Sequence, residues 1–210
     1  MSDKRTRADA KQAHDYLLAL GELTVRFAAV ERAPRYPDSH RENDAEHSYH
    51  LAISAVELAA DYYPELDVGL IAQYSLVHDL PESQVGDTWT FGISEKDRAK
   101  KELAEAKATK ILLKKLPPHT AQLLERYEQQ VEPEARFVRF VDKLTPGIIN
   151  IMAGEALTFI EDHGVKTMEE WDSGKAEHTA RLQRMFPEFE FINMVQELIS
   201  KTTAKHIFKT

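Results

Sequence analysis

The chain has 210 residues, 42% of them hydrophobic and 30% charged, which is the composition of a folded domain and excludes a disordered or fibrous protein. Its net charge of −8 argues against binding to a nucleic acid polymer, which needs a basic surface, and no run approaches the roughly 18 apolar residues of a membrane span. The absence of cysteine excludes disulfides and thiolate ligands, so any metal must be bound through nitrogen and oxygen atoms.

Helical periodicity runs through most of the chain, because apolar residues recur at intervals of three and four. The predicted helices cover about residues 9–31, 43–63, 67–80, 94–116, 120–129, 134–161, 171–185 and 189–202. Residues 32–41, which contain two prolines, are expected to form a loop, and no segment alternates with the two-residue period of a strand. The sequence therefore predicts a single all-α domain of about seven or eight helices over residues 1–210.

Two local sequence patterns predict where helices begin or break near polar residues. Asn43 and Glu46 have the spacing of a capping box, which predicts the start of the second helix just before His47. Pro146 cannot donate a hydrogen bond to the carbonyl of Asp142 four residues earlier, so we expect a kink just after Asp142.

Histidines and carboxylates recur on apolar stretches of these helices. His78 and Asp79 are adjacent at the end of the third predicted helix, His47 lies on the apolar stripe of the second, and Asp142 lies within an apolar run. Two imidazoles and two carboxylates suit Mn, Fe, Co, Ni or Zn better than Ca or Mg. An isolated histidine is nevertheless more often a core residue bonded to a backbone carbonyl, and Asp142 has Lys143 beside it as a surface partner. Spacing alone leaves both interpretations open.

The pattern formed by His47, the pair His78-Asp79, and Asp142 resembles the H…HD…D signature of the HD-domain metal-dependent phosphohydrolases, which are all-helical. The match is closer to the 5′-deoxynucleotidase-like branch, because Arg32, the segment 41–48, Glu82 and the pair Gly86-Asp87 also have fitting offsets. The motif-bearing part spans about residues 14–155, and the C-terminal helices, at about 168–205, carry none of these motifs.

The resemblance implies a role for each of these residues. The metal ligands would be His47, His78, Asp79 and Asp142. Glu82 would be the acid/base group, Asp87 would contact the sugar or a second water, and Arg32 would hold the phosphate. The ordinary structural alternatives are a solvated loop glutamate, a turn aspartate and a cation at a helix C-terminus.

Three further features bear on the substrate. In the deoxynucleotidase branch a tryptophan directly follows the arginine and helps to select 2′-deoxyribose, whereas this chain has Ala33. Trp89 or Phe91 would then supply an aromatic wall, unless each simply packs in its loop. Lys96 or Arg98 would neutralise additional phosphates, unless their charged run is a solvated helix face.

The predicted reaction is removal of the 5′-phosphate from (deoxy)nucleoside monophosphates by attack of a metal-bound water. Hydrolysis of nucleoside triphosphates at the same site and a non-catalytic metal-binding module are the alternatives. Binuclear members of the superfamily that the chain resembles carry extra ligating histidines between the HD pair and the last aspartate. His119 alone lies in that interval here, so the resemblance implies one divalent metal per site. The resemblance also implies a homodimer.

No apolar segment follows the polar start of the chain, so we expect no secretory signal and a cytoplasmic protein.

Overall fold

Helices account for most of the structure. The computed structural model describes residues 5–88, 93–153 and 164–208. Within these ranges the chain forms ten helical segments and one two-stranded antiparallel sheet. The helices are α1 Arg7–Phe27, α2 Asp44–Tyr62, α3 Val68–Val77, α4 Glu82–Val85, α5 Glu95–Leu112, α6 Pro118–Gln129, α7 Pro133–Asp142, α8 Thr145–Ala153, α9 Met168–Met185 and α10 Glu190–Phe208, and the strands are β1 Glu31–Arg35 and β2 Arg41–Asn43. The prediction of an all-α fold is confirmed.

The capping box predicted for α2 is confirmed. The side chain of Asn43 accepts hydrogen bonds from the backbone N–H groups of Ala45 and Glu46, and the Glu46 carboxylate accepts one from the backbone N–H of Asn43. These bonds satisfy donors that the first helical turn leaves unpaired. They fix the start of α2, and therefore the position of His47 in its first turn.

The segment predicted as a loop over residues 32–41 forms a hairpin instead. β1 and β2 pair antiparallel, with Glu31 opposite Asn43 and Arg35 opposite Arg41. A proline is tolerated in β1 because each strand of a two-stranded sheet keeps one free edge that needs no N–H donor. Such short strands give too few residues for a two-residue period to be recognised in the sequence.

The helix predicted over residues 134–161 is interrupted after Asp142. α7 ends at that residue and α8 begins at Thr145, whose hydroxyl donates to the Asp142 carbonyl over 2.9 Å. The break lies where Pro146 removes a helical donor, as the sequence predicts. The part of the predicted helix beyond residue 153 lies outside the described residues.

The main hydrophobic core includes residues of α2, α3 and α7, the helices whose ends carry His47, His78, Asp79 and Asp142. α3 packs against α2, α6 and α7, and α9 and α10 close over them. The rings of Phe140 and Phe186 stack with centroids 5.0 Å apart, and Phe137 meets Phe189 edge-on at 5.3 Å. Trp171 belongs to a second, smaller cluster between α9 and α10. In the part of the chain that the structure describes, no helix has the length and hydropathy needed to cross a membrane.

Replacing Phe137 with alanine tests this packing. The side chain is fully buried on α7, so Phe137→Ala should lower the free energy of unfolding by about 3–5 kcal/mol, measured by urea denaturation followed by circular dichroism. Leu18→Ala on the exposed face of α1 is the control, with an expected change within about 0.5 kcal/mol. Equal losses in the two variants would contradict this description of the core.

Candidate metal centre

Four side chains from distant parts of the chain meet at one point. His47 comes from the first turn of α2, His78 and Asp79 directly follow α3, and Asp142 is the last residue of α7. One nitrogen or oxygen atom from each of them lies within 4.8 Å of the others. The structure thus brings together all four residues that the sequence singled out as metal ligands.

Both imidazoles have a polar group behind them. His78 Nδ1 lies 2.9 Å from the carbonyl oxygen of Ser75, so it donates there and leaves the lone pair of Nε2 toward the cluster. His78 Nε2 is buried and lies 2.9 Å from Asp79 Oδ2, but it makes no hydrogen bond of adequate geometry among the described residues. His47 Nε2 lies 2.9 Å from Asp142 Oδ1, while its Nδ1 is 3.5 Å from Glu42 Oε2. An orphaned nitrogen beside carboxylate oxygens is the donor set that a divalent metal binds, so these residues fit such an ion.

The charge state of His47 follows from its carboxylate neighbours. Burial and Arg32 oppose protonation, but the hydrogen bond with Asp142 and the nearby Glu42 carboxylate outweigh them and raise the pKa of His47 to about 9. A metal ligand must be a neutral imidazole. Binding of a cation at Nε2 would therefore release a proton from this residue.

A second group of carboxylates surrounds Arg32. Its Nη1 atom lies 3.0 Å from Asp44 Oδ1, 2.9 Å from Asp79 Oδ2 and 3.3 Å from Glu82 Oε2. These three acids form the second set in the described ranges with metal-binding geometry. The guanidinium already supplies a fixed positive charge to all three of them. Arg32 thus lies beside the candidate metal ligands. The resemblance implied that it would hold the phosphate, whereas the contacts that the structure shows are with carboxylates.

Glu82 and Asp87 are held together by a lysine that sequence reasoning missed. Lys101 Nζ, on α5, lies 3.2 Å from Glu82 Oε1 and 3.6 Å from Asp87 Oδ1. Gly86, with φ of 75°, makes the left-handed turn that brings Asp87 back beside Glu82. Lys101 belongs to the charged run at the start of α5, for which a solvated helix face was one interpretation. Its immediate neighbours in that run are exposed, but its own side chain is only 15% exposed. Charge alone does not distinguish such a position from a solvated one.

Negative charge is dense around Glu82. Burial, reinforced by the charges of Asp79 and Asp87, raises the pKa of Glu82 to about 10 despite the opposing charges of Arg32 and Lys101. Burial likewise raises the pKa of Asp44 to about 6. A bound cation would offset this accumulation, which is a further reason that the site suits a divalent metal.

The remaining predicted residues are not part of this cluster. Trp89 and Phe91 lie outside the described residues. Lys96 is exposed in the first turn of α5 and is not among the described residues that line the cavity next to the cluster, whereas Arg98 and Lys101 are. Ala33 is buried on β1. His119 is exposed at the start of α6 and does not join the ligand group.

A cavity of about 360 Å³ opens beside the cluster. Its lining includes His78, Asp79, Glu82 and Asp142 on one side and residues of α9 and α10 on the other. The contribution of the C-terminal helices was missed, because they carry none of the motifs. One signal was present in the sequence: three basic residues follow one another at three-residue intervals on α9, which places them on one face of the helix.

Comparison with known proteins identifies the fold. The HD domain family matches residues 26–185, which include all four clustered residues. The chain belongs to the HD domain family. A search of curated proteins finds no match.

Solved structures of similar fold cover most of the chain. One is a predicted metal-dependent phosphohydrolase from Magnetospirillum magnetotacticum MS-1, which is 27% identical and has a TM-score of 0.66, with 92% of this chain and 95% of that chain covered. A conserved hypothetical protein from Pyrococcus furiosus is 22% identical with a TM-score of 0.55, covering 88% and 98% of the two chains. A protein from Pyrococcus horikoshii OT3 is 22% identical with a TM-score of 0.50, covering 86% and 98%. The two Pyrococcus proteins, each 22% identical, support the fold alone.

The buried carboxylate behind His47 gives a test of the metal centre. Glu42→Gln removes the charge 3.5 Å from His47 Nδ1, so affinity for a divalent metal should fall about 10- to 100-fold in a chelator competition titration. Glu46→Gln is the matched control, because glutamine also completes a capping box and Glu46 is partly exposed. An unchanged affinity in Glu42→Gln would show that Glu42 does not support the ligand.

Proposed function

We propose that this HD-domain protein is a metal-dependent phosphohydrolase that hydrolyses the 5′-phosphate ester of nucleotides, with release of orthophosphate from nucleoside monophosphates. The observation that carries the proposal is the two-histidine, two-aspartate cluster at the wall of a cavity that Glu82 also lines. The Magnetospirillum protein, which bears the description of a metal-dependent phosphohydrolase, supports the reaction class. The resemblance to the deoxynucleotidase branch supports the nucleotide.

The cavity has the properties that a nucleotide needs. Its volume of about 360 Å³ falls within the ordinary range for small-molecule sites. Cationic side chains near the cluster, Lys101, Arg139 and Lys143, offer donors to phosphate oxygens. Apolar and aromatic side chains contribute surface for the nucleoside: Tyr127, Leu144, Leu182 and Phe186.

A divalent cation in the cluster would polarise a phosphoryl oxygen and lower the pKa of water. The chain's own residues would do the rest. His47 and His78 are held with Nε2 toward the cluster, so they need no reorientation. Arg32 and Lys101 each contact one oxygen of Glu82 at the cavity wall, and this carboxyl group would move a proton at the reacting oxygen. Asp87 shares Lys101 with Glu82 and lies beside it, where it would contact the sugar.

We further infer one metal ion per site. The second carboxylate set, Asp44, Asp79 and Glu82, already has the guanidinium of Arg32 within 3.3 Å of each member. A second divalent ion at that position would be repelled by the fixed charge. The arginine therefore takes the electrostatic role that a second metal would otherwise have.

Removal and return of metal tests the proposed function. The metal-stripped protein should release no orthophosphate from ribo- and deoxynucleoside monophosphates, and Mn, Co, Fe, Ni or Zn should restore release with about one ion bound per chain. His78→Ala should stay inactive in every metal, whereas His119→Ala, an exposed histidine, should behave as wild type. Tight binding of one ion that needs His78, without turnover of any phosphoester, would instead favour a non-catalytic metal-binding module.

Glu82→Gln separates proton handling from metal binding. The substitution keeps the shape of the side chain, so kcat for nucleotide hydrolysis should fall about 10²- to 10⁴-fold. Metal content, measured by inductively coupled plasma spectrometry, should stay at the wild-type value because Glu82 is not one of the four clustered ligands. Glu125→Gln, an exposed carboxylate on α6, serves as the control. Full activity in Glu82→Gln would remove this residue from the mechanism.

A further inference from the structure

The side of the cavity formed by the C-terminal helices is basic. Lys175, His178 and Arg181 line it from α9, and Arg98 lines it from α5. We call these four residues the basic face. Lys143 lines the same cavity and has its Nζ 2.6 Å from Asp142 Oδ2, so the positive charge continues up to the metal ligands.

The basic face concentrates positive charge. Burial first, and then Lys175, Lys143, Arg181 and Arg98, lower the pKa of His178 to about 3. Burial lowers the pKa of Lys175 to about 8. His178 is therefore uncharged near pH 7, and the positive charge of the face belongs to Lys175, Arg181 and Arg98. Burial, and at Arg181 also the charge of Arg98, disfavour this positive charge, and a bound anion would relieve both costs.

Acidic residues are also present around the cavity. Glu102 and Glu105 line it from α5, and Glu128 lines it from α6. Glu105 lies 3.0 Å from Lys101 Nζ, on the side of Glu82. Glu95 and Glu102 act on Arg181, but no carboxylate is among the main influences on His178. The charge imbalance is therefore local to the basic face.

Two buried donors point to a ligand rich in acceptor oxygens. Arg98 Nε and Asn150 Nδ2 have no hydrogen-bond partner among the described residues, and both side chains line the cavity; the exposed Glu95 carboxylate is 3.8 Å from Arg98 Nε, beyond hydrogen-bond distance. Buried donors are normally paired, so each marks a position where a ligand atom or water completes the structure. A phosphate group supplies several acceptor oxygens together with negative charge, which matches both the orphaned donors and the basic face.

We propose that the basic face is a binding subsite for a further phosphate of the substrate, beyond the one held at the metal ligands. The inference rests on the proposed function, since it assigns the reacting phosphate to the metal cluster. Lys143 contacts Asp142 and its charge also acts on His178, so it would contact the chain of phosphates. The substrate class therefore extends to nucleotides that carry a chain of two or three phosphates.

Calorimetric titration of the metal-loaded full chain with inorganic phosphates tests the subsite. Wild type should bind tripolyphosphate at least about 10-fold more tightly than orthophosphate, because only the longer anion reaches both positions. Arg181→Ala and, separately, Arg98→Ala should weaken tripolyphosphate binding about 10-fold or more. Neither should alter orthophosphate binding at the metal ligands. Chelation of free metal by tripolyphosphate is identical for all variants, so the comparison between proteins is unaffected.

Arg184→Ala is the matched control, since this exposed arginine lies one turn from Arg181 on α9 and removes the same charge. It should bind tripolyphosphate as wild type does. Equal weakening of tripolyphosphate binding in Arg181→Ala and Arg184→Ala would show an effect of net charge alone and would overturn the subsite. Equal affinity of the wild type for orthophosphate and tripolyphosphate would overturn it as well. Binding is measured without turnover, so Arg181-dependent tripolyphosphate binding in a protein that hydrolyses no nucleotide would support the subsite while refuting the proposed function.

Discussion

The structure depends on compensating an unusual amount of buried negative charge. Five carboxylates lie close together, and most of them are almost fully buried: Glu42, Asp44, Asp79, Glu82 and Asp142. A buried carboxylate without a partner is strongly destabilising. Arg32 reaches three of these carboxylates with one nitrogen atom, and Lys101 reaches Glu82 and Asp87 from the opposite side. The two fixed cations leave the two-histidine, two-aspartate cluster as the position for a divalent ion.

The fold achieves this convergence by aiming helix ends at one point. His47 begins α2, His78 and Asp79 follow the end of α3, and Asp142 ends α7. A side chain at a helix terminus can reach the centre while the apolar face of the same helix remains in the core. The hairpin then brings Arg32 and Glu42 behind the ligands, where they orient His47 and balance Asp79.

The C-terminal helices complete the wall of the cavity beside this polar cluster. α10 lies beyond residue 185, where the match to the HD domain family ends, yet its residues line the cavity opposite the metal ligands. α8 and α10 approach so closely that a Cβ atom on Gly147 would come within 2.8 Å of Ile199 Cγ2. A residue larger than glycine at this position would have to displace Ile199, and both residues line the cavity. Choice of substrate is therefore expected to depend on these helices as well as on the family motif.

The sequence by itself determined the helical class, the start of α2 and the break near Asp142. These features depend on side-chain periodicity, capping and proline, which act over a few residues. It also singled out the four clustered residues, through their motif. Only the tertiary structure decided what surrounds them. His47 and Asp142 are 95 residues apart, and Arg32 meets Glu82 across 50. The pairing of Lys101 with Glu82, the contacts of Arg32 and the basic face arise from packing between distant helices, which no short-range pattern records.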